Sequence, residues 1–87
     1  MHKLITIMPH IHGFILDKNN HPVENATIAL PIAGLFALSG DDGFFEVSDV
    51  PPGYQRVNVV HRRFQKFVAD LRIIEDMEIT IDLDDQL

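Results

Sequence analysis

Met77-Glu78-Ile79-Thr80-Ile81-Asp82-Leu83-Asp84 settles the fold class of this chain. Apolar and polar residues alternate strictly over eight positions, the period of a strand with one face in a core and the other in water. Working outward, residues 66–73 repeat the pattern, with Phe67, Ala69, Leu71 and Ile73 on one face and Lys66, Val68, Asp70 and Arg72 on the other. Residues 55–61 set Val57, Val59 and His61 against Arg56, Asn58 and Val60, Ala26, Ile28 and Leu30 form a shorter pattern, and residues 44–47 make an apolar run with Glu46 outward. Residues 64–74 are the best candidate for a helical stripe, yet they fit period two better. Turn chemistry separates the runs: residues 17–22, residues 39–43 ending in Asp-Gly, and residues 49–54 with Pro51-Pro52-Gly53. Six or seven short strands at this spacing predict an all-β sandwich or barrel. Its predicted core is Ile15, Ala26, Ile28, Leu30, Phe45, Val47, Val57, Val59, Phe67, Leu71, Ile79, Ile81 and Leu83.

Eighty-seven residues allow a single domain over 1–87 with a thin stability margin. A 46% hydrophobic, 23% charged composition is that of a folded chain rather than a disordered one. With no cysteine, disulfides, thiolate metal sites and cysteine nucleophiles are excluded. The absence of tryptophan, a single tyrosine and a net charge of −6 argue against nucleic acid as a partner. The longest apolar stretches, residues 28–38 among them, contain Pro31 and Gly34 and are too short for a transmembrane helix, so no membrane insertion is expected. Residues 1–9 lack the apolar core and cleavage site of a signal peptide, and the expectation is a cytoplasmic protein or one exported without a cleaved leader.

Three pieces in order resemble the carboxypeptidase regulatory-like domain, a transthyretin-like (prealbumin-like) sandwich. Ile11-His12-Gly13-Phe14-Ile15-Leu16-Asp17 followed by Pro22-Val23-Glu24-Asn25-Ala26-Thr27-Ile28-Ala29-Leu30 is similar to that family's G-x-V-x-D, turn, P-V-x-G-A-x-V-x-L. Asp41-Asp42-Gly43-Phe44-Phe45-Glu46-Val47 is similar to its D-x-x-G-x-F-x-L, and Val50-Pro51-Pro52-Gly53-Tyr54 to its L-P-P-G-x-Y. Asn25 stands where the family often has glycine, a position asparagine fills in the left-handed region. Gln55 stands where the family usually has an aromatic residue, and Tyr54 comes one position early. The segment 31–40, with Ile32, Leu35, Phe36 and Leu38, reads as an apolar insertion and a partner-facing edge. The resemblance implies a Greek-key β-sandwich of about seven strands that serves as a non-catalytic scaffold or protein-interaction module.

Catalytic relatives of that fold, the hydroxyisourate hydrolases, need a histidine where this chain has Phe14 and a C-terminal Tyr-Arg-Gly-Ser where it ends Asp84-Asp85-Gln86-Leu87. No serine lies in a nucleophile-elbow context and no phosphate-cradling loop is present, so the expectation is no enzyme and no cofactor. His10 and His12 point the same way on a strand and are candidate metal ligands, with His2, His21 or His61 as a third, against the plainer reading of two solvent-facing histidines on an edge strand. Asp41-Asp42 reads as turn chemistry rather than a calcium loop. Five of the seven bases (Arg56, Arg62, Arg63, Lys66, Arg72) lie between residues 56 and 72, and six acids between 75 and 85. Two readings follow: Lys66 and Arg72 pair with Asp82 and Asp84 across one sheet, or a basic ridge meets another protein. The second assigns partner binding to Arg62, Arg63 and Lys66 on the loop 61–65, with Leu35 and Phe36 on the apolar segment. The alternative function is a small-ligand or carbohydrate-binding sandwich with a pocket lined by Phe36, Phe44 or Tyr54.

Overall fold

Alternating runs become strands wherever turn residues bound them. The computed structural model describes residues 8–86. It has β1 (Ile11–Asp17), β2 (Thr27–Leu30), β3 (Leu35–Leu38), β4 (Phe44–Val47), β5 (Gly53–Val60), β6 (Phe67–Ile73) and β7 (Met77–Leu83). A three-stranded sheet runs β4-β1-β7 and a four-stranded sheet β3-β2-β5-β6. β1 pairs antiparallel with β4 and parallel with β7, and every pairing in the larger sheet is antiparallel. The chain passes from one sheet to the other after β1, β3, β4 and β6, giving a small Greek-key, transthyretin-like β-sandwich.

The apolar halves of the alternations meet between the sheets. Ile15, Ala26, Ile28, Leu30, Phe45, Val47, Val57, Val59, Ile81 and Leu83 are buried as expected, while Phe67, Leu71 and Ile79 are half-buried and pack against that core. Ile11, Val23, Val50, Phe64 and Ile73 join it as well. Gly13 sits in the middle of β1 with a strand on each side, and a Cβ there would run into the backbone carbonyl of Ile79. Asn25 adopts a φ of 62°, filling the turn position expected of it. Ser39 is buried at the end of β3: its Oγ accepts from the Ala26 N–H at 2.9 Å and donates to the Val23 carbonyl at 2.7 Å.

Three expectations need correction. The segment 31–40 is no insertion: residues 31–34 form a tight turn and Leu35–Leu38 is the edge strand β3. β6 and β7 belong to different sheets, so Lys66 and Arg72 do not pair with Asp82 and Asp84 across a ladder. Arg56 instead holds Asp70 at 2.9 Å, and Lys18 lies 3.6 Å from Asp84. β1, which carries His12, is a central strand rather than an edge. In keeping with the departure from the family pattern, Gln55 faces the core after the Pro-Pro-Gly turn, its Nε2 donating to the Pro51 carbonyl at 3.0 Å, and Tyr54 is exposed.

Candidate functional site

The β1–β2 and β5–β6 loops come together at one end of the sandwich. Asp17, ending β1, organises the first. Its Oδ1 accepts from the N–H groups of Asn19 at 2.8 Å and His21 at 2.9 Å. The His21 amide is the main reason its carboxyl lies below the ordinary carboxylate range; burial opposes this, and the Asn19 amide and the His21 and Arg63 charges add to it. His61 ties the second loop to the first: Nδ1 accepts from the Arg63 backbone N–H at 3.1 Å, so the neutral ring donates from Nε2 to the Glu24 carbonyl at 3.1 Å. Beneath them Phe64 is buried, edge-on to His61 at 5.3 Å, with the Arg63 guanidinium 5.9 Å from its centroid. The loop is also fastened to the tail of β7, where Gln65 N donates to the Asp84 carbonyl at 2.8 Å and its Nε2 to the Asp85 carbonyl at 2.9 Å.

An open cleft of about 850 Å³ lies between these loops, with Asp17, His21, Thr27, Val60, Arg62 and Arg63 in its walls. Arg62, Arg63 and Lys66 are all exposed, as their position in a loop requires, but Lys66 stands outside the cleft walls.

The outer face of the four-stranded sheet adjoins this cleft. Register sets Leu38 beside Thr27 and Thr27 beside Val60; the next row is Phe36, Ala29, Asn58 and Val68. No residue of these two rows is charged. Phe36 is 72% exposed, Leu38 59%, Val68 51% and Val60 49%, a grouping of large apolar side chains unusual for open surface. Thr27 and Val60 belong to both features, so the apolar face runs into the cleft and has the two arginines at its rim. Leu35 is not part of it: it points inward and packs on the core, leaving Phe36 as the outward member of that pair. Sequence reasoning missed Val60 and Val68, each read only as a member of a mostly polar outer row.

His10 and His12 do lie side by side, with ring centroids 5.4 Å apart, but no other described histidine joins them. His10 Nε2 stands 3.7 Å from Glu46 Oε2, and His12 Nε2 is 3.4 Å from Glu78 Oε2 on the opposite neighbouring strand. His21 and His61 line the loops at the other end of β1, and His2 lies outside the described residues. Among the described residues no three His, Cys, Asp or Glu side chains form a metal-holding group. Ser48 Oγ lies 3.4 Å from His10 Nδ1, a loose contact on an open sheet face. The aromatics nominated for a ligand pocket are separated: Phe36 and Tyr54 lie on the outer face of the larger sheet and Phe44 on the outer face of the smaller one.

No protein-family profile matches the chain, and no curated protein sequence matches it. Solved structures do. A chain of the type II cohesin–X-dockerin complex from Acetivibrio cellulolyticus aligns with a TM-score of 0.77 and 17% identity, over 86% of this chain and 56% of that one. The major pilin subunit BcpA of Bacillus cereus aligns at 0.74 and 14% identity, over 92% of this chain and 31% of that one. A putative carbohydrate-binding protein from Bacteroides uniformis aligns at 0.69 and 16% identity, over 90% and 42%. This chain therefore spans about half or less of the length of each, and the likeness is one of fold: a β-sandwich domain of the kind found as one part of larger proteins.

Proposed function

We propose that this domain is a non-catalytic protein-interaction module, of the carboxypeptidase regulatory-like type that its turn motifs resemble, and that it docks through the outer face of its four-stranded sheet. The observation that carries this is the uncharged double row with Phe36, Leu38, Val60 and Val68 exposed on it. An apolar centre bordered by polar groups is the usual anatomy of a docking surface. Here Arg62 and Arg63 supply part of the border, and two adjacent guanidinium groups suit carboxylates of the other protein. The partner is thus an apolar surface with an acidic margin. A small-ligand function has less support, because its three candidate aromatics line no common pocket.

The reading is tested with a photo-cross-linking residue placed at Val68 or, as a control on the smaller sheet, at Thr80, in cells of the native host. Adducts of one defined mass from the Val68 position, absent from Thr80, are expected. Arg62→Ala with Arg63→Ala leaves the melting temperature within about 2 °C but weakens the adduct, and so does raising salt from about 0.05 to 0.5 M, which shortens the Debye length from about 14 to 4 Å. Equal cross-linking from both positions, or none from Val68, overturns the reading.

A further inference from the structure

A sandwich with two open sheets has four edges, and three of them are guarded. β7 exposes Glu78 and Asp82, β6 exposes Asp70 and Arg72, and β4 exposes Glu46. Charges on an edge discourage another strand from adding to it. β3 differs: Leu35-Phe36-Ala37-Leu38 has no charge and no proline. Its backbone is also half unused. The Ser39 N–H donates to the Ala26 carbonyl, and the register continues through Ala37 opposite Ile28 and Leu35 opposite Leu30. By the alternation of an antiparallel ladder, the N–H and C=O groups of Phe36 and Leu38 therefore point away from β2. No turn or loop bond among the described residues reaches them.

The geometry points to a second copy of this chain as the occupant of that edge, added antiparallel about a two-fold axis between the two Ala37 residues. In that register Phe36 of each copy lies opposite Leu38 of the other, and each such pair exchanges two backbone hydrogen bonds. The same operation on β7 would set acids beside acids, whereas here apolar side chains meet apolar ones. The antiparallel arrangement also places the acidic turn with Asp41 and Asp42 beside the uncharged residues 31–34 of the other copy, not beside its own equivalent. The result is one eight-stranded sheet on which two apolar outer faces become continuous. A four-residue strand buries less than the roughly 800 Å² per partner of a stable interface, so the dimer is weak, with a Kd on the order of 10–500 μM. Each copy carries a net charge of −6, so association tightens as salt screens the repulsion.

The proposal stands apart from the docking reading, since a monomer presents the apolar face equally well. Sedimentation equilibrium from about 10 μM to 1 mM, at about 0.02 and 0.5 M salt, should show a monomer–dimer equilibrium several-fold tighter in high salt. Hydrogen exchange at the Phe36 and Leu38 amides should slow only in the concentrated sample. Phe36→Lys, and independently Phe36→Pro, which removes the outward N–H without touching a bond to β2, should weaken the dimer at least tenfold. Val68→Lys, on the same face but at the far edge, should leave it unchanged. A chain that stays monomeric at 1 mM in high salt overturns the proposal. So does a dimer abolished by Val68→Lys, which would mean face-to-face packing, or one in which the two amides exchange as fast as in the monomer.

Discussion

Asp17 shows how one side chain shapes one end of the sandwich. Its carboxylate accepts two backbone N–H groups of the β1–β2 loop, and the His21 amide above all favours its charged form. A group whose pKa is depressed by folding contributes stability that is full above its unfolded value, near 4, and is lost as pH falls through the lower folded value. Asp17→Asn keeps an acceptor oxygen but not the charge. The expected outcome is a melting temperature about 2–5 °C lower at pH 7, with the difference shrinking as acid protonates the native carboxyl as well. Thermal melts followed by circular dichroism from pH 7 into acid check it; a constant offset would mean that the charge is irrelevant. The fixed loop is what lets Arg63 and His61 be placed against it, so the shape of the cleft depends on this residue.

Strands are where most of the structure was legible. The alternation in residues 77–84 assigns faces correctly: Ile81 and Leu83 are buried, while Glu78, Thr80 and Asp82 are exposed. Ile81→Asp should unfold the domain, because an unpaired buried charge adds to roughly 2–5 kcal/mol of lost packing, whereas Thr80→Asp should melt within about 2 °C of the parent. Equal loss in the two variants would contradict the two-face assignment. Alternation fixes which side of a strand is wet, but not which strand lies beside it. That is why the acids of β7 seemed to face the bases of β6, although those strands lie in different sheets. β3 escaped for another reason: Leu35-Phe36-Ala37-Leu38 is apolar at every position and shows no period at all. Phe64 and Ser39 are buried by contacts across the chain, Phe64 in a bridge to Asp85 and Ser39 between Val23 and Ala26, which no local pattern reports. Of the proposed docking surface, the arginines were readable from the break in alternation at residue 61. The apolar rows beside them needed the register of four strands.

At the level of the whole molecule, the decisive feature is that β1 and β7 run side by side in parallel over seven register pairs, from Ile11 opposite Met77 to Asp17 opposite Leu83. The sheet that holds them together joins residues from the two ends of the sequence, a pairing of large sequence separation that is slow to form. Tension applied at Ile11 and Leu83 pulls these two strands along their length in opposite directions. Every bond of the ladder is then strained at once in shear, and none can open before the rest. A hairpin such as β5–β6, held at its open end by Gly53 and Ile73, peels apart one bond at a time instead. In a laser trap, pulling through Ile11 and Leu83 should therefore demand a distinctly higher rupture force than pulling through Gly53 and Ile73. Placed in series with other domains, such a unit would carry load as a rigid link rather than stretch.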